Sequence, residues 1–221
     1  MQITTKVLYW VNILGAIAYL LICGGALVGG HAIYPGQAML LGQVAFGIVL
    51  VVAPNLIGRV WHFRFPALLL LIWYAFVLCA VLLGTGMQFY SIPYWDKFLH
   101  LFSASMLAGL GLAIFGALTP DDELQHTSPL LLAIVAVAFG TMMGVLWEFY
   151  EFTGDGLLGL NMQRTMSHGV GLIGRAALMD TMGDLAADFF GSLALGVWTY
   201  FGVSANRRWL DTFQFVTNKQ R

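Results

Sequence analysis

Six runs of about twenty apolar residues leave this chain few ways to fold. A helix needs roughly 20 such residues to cross the hydrocarbon core of a bilayer, and lipid offers nothing to an unpaired backbone group. The runs fall at 7–28, 38–58, 66–87, 97–118, 129–150 and 181–203. Turn-forming stretches separate the first five: GGHAIYPGQ, RVWHFRFP, YSIPYWDK and TPDDELQHTSP. The fifth connection, about 152–180, is the longest and is Gly-rich and broken. It reads as a candidate re-entrant or interfacial segment rather than a seventh span. Composition agrees, with 10% charged residues where soluble domains carry roughly 25%. The expected fold is therefore an all-α integral membrane bundle of about six transmembrane helices, residues 1–221 forming a single membrane domain.

Other classes recede. A net charge of -1 gives no electrostatic case for nucleic acid. Cys23 and Cys79 stand far apart in apolar runs and read as small buried residues, not a disulfide. The first run follows Lys6 as a signal peptide would, yet it exceeds the roughly 7–15 apolar residues of such a segment, so it reads as a retained helix. Lys6, Arg59, Arg64, Arg207, Arg208, Lys219 and Arg221 would share one side of a six-span chain, and Lys97, Arg164 and Arg175 the other. The first set is the larger, which puts both termini in the cytoplasm.

The acidic residues carry the functional question. Span four opens at YWDKFLH, span five closes at GVLWEFYEF and span six opens at DTMGDL, so these three ends share one face of the membrane. Seven of the eleven acids lie there or in the long connection: Asp96, Glu148, Glu151, Asp155, Asp180, Asp184 and Asp188. Asp96 and His100 are four residues apart and Glu148 and Glu151 three, so each pair shares a helix face. Asp180, Asp184 and Asp188 form one stripe descending about 12 Å at ~1.5 Å per residue. An ionised carboxylate at that depth costs roughly 2.5–3.5 kcal/mol, so the stripe must face protein and find partners.

Taken singly, Asp96, Asp180 or Asp184 reads equally well as a helix N-cap, and His100 as a satisfied buried histidine. Glu148 and Glu151 resist that treatment, since the sequence places them at a helix C-terminus where the dipole disfavours anions. Three partners for the acids stay open. A divalent metal (Mn, Fe, Zn or Mg) could be held by Asp96, His100, Glu148, Glu151, Asp180 and Asp184. Arg164 and Arg175 could fold back onto the carboxylates. The carboxylates could instead act as a proton relay with Asp188 its deep member. Gly140 and Gly144 form a GxxxG suited to close helix packing, and Asn12 and Gln43 read as interhelical hydrogen bonds. His31, His62 and His126 lie in connections and suggest nothing specific.

The blocks YWDKFLH, WEFYE and DTMGDLAADFFG, in that order, resemble the YjdF-like family of bacterial polytopic membrane proteins, over roughly residues 45–200. A fainter likeness to the VanZ-like family, associated with glycopeptide resistance, rests on Asp96, Lys97 and His100, and extends to Glu148, Arg175, Asp180 and Gly191. Glu151 and Asp184 depart from that pattern, where the family usually has Gln and Asn, and make the site more acidic. The resemblance implies a bacterial inner-membrane protein and supports the site without supplying a reaction. The first expectation is an enzyme acting on a membrane lipid or lipid-linked envelope substrate, with metal activating water or neutralising phosphate and Glu148 or Glu151 as general base. A cation- or proton-coupled transporter or binding protein, and a non-catalytic subunit with Arg-paired acids, are the alternatives.

Overall fold

The computed structural model describes residues 2–217. Its helices are α1 (Gln2–Val28), α2 (Gln37–Val60), α3 (Ala67–Val77), α4 (Trp95–Leu118), the short α5 (Asp121–His126), α6 (Pro129–Leu158) and α7 (Arg175–Ala205). A π-helical stretch, Leu78–Gly86, prolongs α3. Four two-residue strands accompany them. β1 (Phe63–Arg64) pairs antiparallel with β4 (Val216–Thr217), and β2 (Met166–Ser167) with β3 (Val170–Gly171). Each of the six apolar runs lies within helix, apart from Pro66 and Met87 at the ends of the third, and the fold is an all-α membrane bundle. Five of the long helices, α3 with its π-helical extension among them, have the length and apolarity to cross a membrane. The sixth, α7, carries the Asp ladder instead. Lys219 and Arg221, two of the charges used for orientation, lie outside the described residues.

Boundaries follow local chemistry. Pro66, Pro120 and Pro129 stand at helix starts, where a fixed φ helps and a missing N–H costs nothing. Gly159 ends α6 in the left-handed region (φ 65°) and donates its N–H to the Asp155 carbonyl at 3.1 Å. The long connection is thereby confined to 159–174, where the β2–β3 hairpin, not a re-entrant helix, turns the chain.

The helices group into two compact units, Met1–Trp95 with Thr212–Arg221, and Asp96–Asp211. In the first, α1 packs on α2 and α3, with Val44, Val51, Tyr74 and Val77 fully enclosed. Asn12 is interhelical as expected, donating to the Leu8 carbonyl at 2.8 Å and the Tyr74 carbonyl at 2.9 Å. Gln43 is not; it is exposed, and the buried amide is Gln37. Gln37 accepts from the Ile33 and Tyr34 N–H groups at 2.6 and 3.0 Å and donates to the Cys23 carbonyl. Cys23 and Cys79 are free thiols.

In the second unit α4, α6 and α7 approach until glycine is the only residue that fits. A Cβ at Gly191 would lie 2.9 Å from the Leu101 carbonyl carbon, so α7 rests on the backbone of α4. Ser105 Oγ donates to the Gly191 carbonyl across the same contact at 2.7 Å. A Cβ at Gly144 would lie 2.7 Å from Asp188 Cβ, which seats α6 on α7 and bears out the packing role of the GxxxG.

Candidate functional site

The second unit brings the predicted acids together on α4, α6 and α7. Gly144 faces Asp188 and Gly140 faces Ser192, so α6 and α7 run antiparallel and Glu148 comes level with Asp184. The ladder faces inward: Asp184 and Asp188 are each 1% exposed, and Asp180 is half-buried. α7 begins at Arg175 behind Gly174, so Asp180 and Asp184 sit more than a turn inside the helix and are not caps. Likewise α6 runs on to Leu158, so Glu148 and Glu151 stand well before its end and the terminal dipole does not govern them.

Lysine, not arginine, is the principal partner. Lys97 Nζ donates to Asp180 Oδ1 at 2.6 Å and to Asp184 Oδ2 at 2.8 Å, and lies 3.7 Å from Asp96 Oδ2. It also reaches the Asp180 carbonyl at 3.2 Å. One turn deeper, His100 places Nε2 3.6 Å from Asp184 Oδ1 and Nδ1 3.3 Å from Asp188 Oδ2. Arg164 folds back from the 159–174 connection, with Nη2 3.4 Å from Asp96 Oδ2 and Nε 3.9 Å from Asp180 Oδ2. Arg175 is exposed and forms no ion pair among the described residues. The result alternates basic and acidic side chains along the contacts: Arg164, Asp96 and Asp180, Lys97, Asp184, His100, Asp188.

The α6 carboxylates differ from one another. Glu151 Oε1 accepts from Trp147 Nε1 at 2.9 Å. Glu148 is buried and has no ion-pair partner among the described residues. The Thr181 hydroxyl, the Gln163 amide and the His100 ring are its polar neighbours, and Gln163 Nε2 donates to Thr181 Oγ1 at 2.9 Å. Asp155, grouped with these acids by sequence, is structural. It accepts from the Met162 and Gln163 N–H groups at 2.7 and 3.0 Å and fixes the start of the connection.

By sequence alone Lys97 reads as a topogenic charge and as part of the VanZ-like element, not as the partner of the Asp ladder. Its place one residue after Asp96 and one helical turn before Leu101 is visible there, but its reach to α7 depends on the α4–α7 approach at Gly191. Ser192, buried one turn below Asp188 with its Oγ lacking a hydrogen-bond partner, extends the polar stripe inward. For a metal, Asp96, His100 and Asp184 offer ligand atoms that all lie within 4.8 Å of one another. Asp180, Glu148 and Glu151 are not part of that group. The Lys97 ammonium already neutralises two members of the wider set.

The fold and site define a polytopic all-α membrane protein built around a buried, alternating network of acids and bases. The chain belongs to the family described as Predicted membrane protein (DUF2238), whose model matches residues 16–204. No curated protein and no solved structure matches it.

Proposed function

We propose that this protein is a cation- or proton-coupled membrane protein whose working group is Glu148, with Lys97, His100 and the Asp ladder as its fixed electrostatic frame. The observation that carries the reading is the contrast within one cluster. Asp180, Asp184 and Asp188 have basic partners at 2.6–3.6 Å, while both oxygens of the buried Glu148 have none. A buried carboxylate without a basic partner is costly to hold ionised, which suits it to take up a proton or a cation. Intramembrane carboxylates of this kind exchange protons or cations. The VanZ-like resemblance, on Asp96, Lys97, His100, Glu148 and Asp180, falls on the same cluster, and the YjdF-like blocks contain it. Both support a bacterial inner-membrane setting, and the Lys/Arg distribution supports this site's lying toward the outer face.

A second reading, the metal-dependent enzyme acting on a lipid-linked substrate, draws on the ligand-atom spacing of Asp96, His100 and Asp184. There a divalent ion would compete with the Lys97 ammonium, and Glu148 would serve as general base toward water or substrate.

One paired experiment separates them. Infrared difference spectra of the protein in lipid, recorded across a pH step, are expected to contain a carboxyl C=O band that Glu148→Gln removes. Elemental mass spectrometry of the same samples is expected to find no stoichiometric metal. A spectrum untouched by Glu148→Gln overturns the first reading. Near-stoichiometric metal, lost in Asp184→Asn, establishes the second in its place.

A further inference from the structure

All eleven acidic residues of the chain lie between Asp96 and Asp211; residues 1–95 and 212–221 contain none. The first unit nevertheless carries Lys6, Arg59 and Arg64, and none of them has an ion-pair partner among the described residues. Those three side chains and His62 line one cavity of about 880 Å³. Its wall is contributed by the start of α1, the end of α2, the following turn and the start of α3, and includes apolar residues such as Val52 and Leu70. A segment without a single Asp or Glu supplies no side-chain carboxylate for this cluster.

The turn is firmly built. His62 stands in the left-handed region at φ 56°, and the next two residues form β1, paired with β4 so that Arg64 lies opposite Val216. Phe63, Phe65 and Phe215 interlock with ring centroids 4.7–5.5 Å apart. Gly58 admits this turn against α2, since a Cβ there would come within 2.6 Å of the Phe63 carbonyl oxygen. Arg59 and Arg64 are thus carried on a fixed frame, which favours the planar, bidentate capture of phosphate for which guanidinium is suited.

A second, open groove of about 550 Å³ runs along one face of α1, lined by Ile3, Val7, Trp10, Val11 and Leu14, and shares Lys6 with the first. From Ile3 to Leu14 it extends about 16 Å at ~1.5 Å per residue. A basic seat that shares a lysine with an apolar groove has the polarity of a phospholipid: a charged headgroup end and an acyl-chain end. We infer that the first unit holds a specific site for an anionic, phosphate-bearing lipid, with Lys6, Arg59, His62 and Arg64 on the headgroup and the α1 face on an acyl chain. Basic pockets at helix ends recognise such headgroups by the same chemistry.

Native mass spectrometry of the full chain, released from nanodiscs of mixed phosphatidylglycerol and phosphatidylcholine, tests the site. Phosphatidylglycerol is expected to remain bound, and Arg59→Gln/Arg64→Gln to lower its retention at least tenfold. Arg208→Ala, an exposed charge of the other unit, serves as control and is expected to leave retention unchanged. Equal retention in the double variant and wild type, or equal loss in the control, overturns the site. Retention of phosphatidylcholine as strong as that of phosphatidylglycerol overturns the anionic preference. Displacement by millimolar glycerol phosphate as effective as by the lipid overturns the lipid as the ligand and leaves a soluble phosphate ester. Circular dichroism of the double variant, expected to match wild type, separates loss of the site from loss of the fold.

Discussion

Lys97 is the residue on which the second unit's electrostatics turn. Its ammonium reaches three acids, and two of those contacts are hydrogen bonds below 3 Å. Removing one partner of a buried pair strands the other, at a cost of about 3–5 kcal/mol. The Lys97 side chain is 26% exposed, so solvent recovers part of that loss. Lys97→Met is therefore expected to destabilise by about 3 kcal/mol, the low end of the buried-pair range, read from denaturant or thermal unfolding in detergent. Adding Asp184→Asn to Lys97→Met should return part of that stability, because it removes the stranded charge. An additive double variant would mean the pair is not coupled.

At the level of elements, the contact between α4 and α7 decides whether the ladder meets its partners at all. Gly191→Ala places a methyl against the Leu101 carbonyl and forces the helices apart. Overpacking of this kind costs about 1–3 kcal/mol. It should also break the Ser105–Gly191 hydrogen bond. Ser105→Ala alone is expected to cost less, and unfolding measured on both variants checks the order. Much of this architecture is legible in the sequence. Apolar runs place the helices, i,i+4 spacing gives the inward face of the Asp ladder, and the GxxxG gives the α6 contact. Partnership across helices cannot be read that way. Whether Lys97 or Arg164 answers the ladder depends on how closely α4 and α7 approach, and a glycine in sequence does not say which backbone it will meet. The placement of Glu148 near a terminus fails for a related reason: α6 gains two turns beyond its apolar run because Gly159, not the WEFYEF aromatics, ends it. The acid-free first 95 residues are equally plain, but their meaning emerges only once Arg59, His62 and Arg64 are seen to share a cavity with Lys6.

For the whole molecule, alternation of spans makes a sidedness prediction. In the second unit, α5 connects α4 to α6, and 159–174 connects α6 to α7, so the two connections face opposite sides if α6 crosses the membrane. A cysteine at Asp122 and one at Gly169, both exposed positions, introduced singly into a chain lacking Cys23 and Cys79, are expected to react with an impermeant maleimide from opposite sides. The positive-inside bias predicts that Gly169 is the position labelled from the extracytoplasmic side. Labelling of both from one side would mean that α6 does not span.

The Asp ladder also governs how α7 comes to be where it is. A helix with three aspartates in its first half is poorly accepted by the insertion machinery, since each central carboxylate costs roughly 2.5–3.5 kcal/mol. The five apolar helices can partition one by one as they are made, but α7 comes last and carries the ladder's added cost. It enters against Lys97 and His100, already waiting on α4, so neutralisation precedes burial. Biogenesis of this protein is therefore expected to be ordered, with the final helix admitted with the help of its ion pairs to α4 as well as its apolar surface.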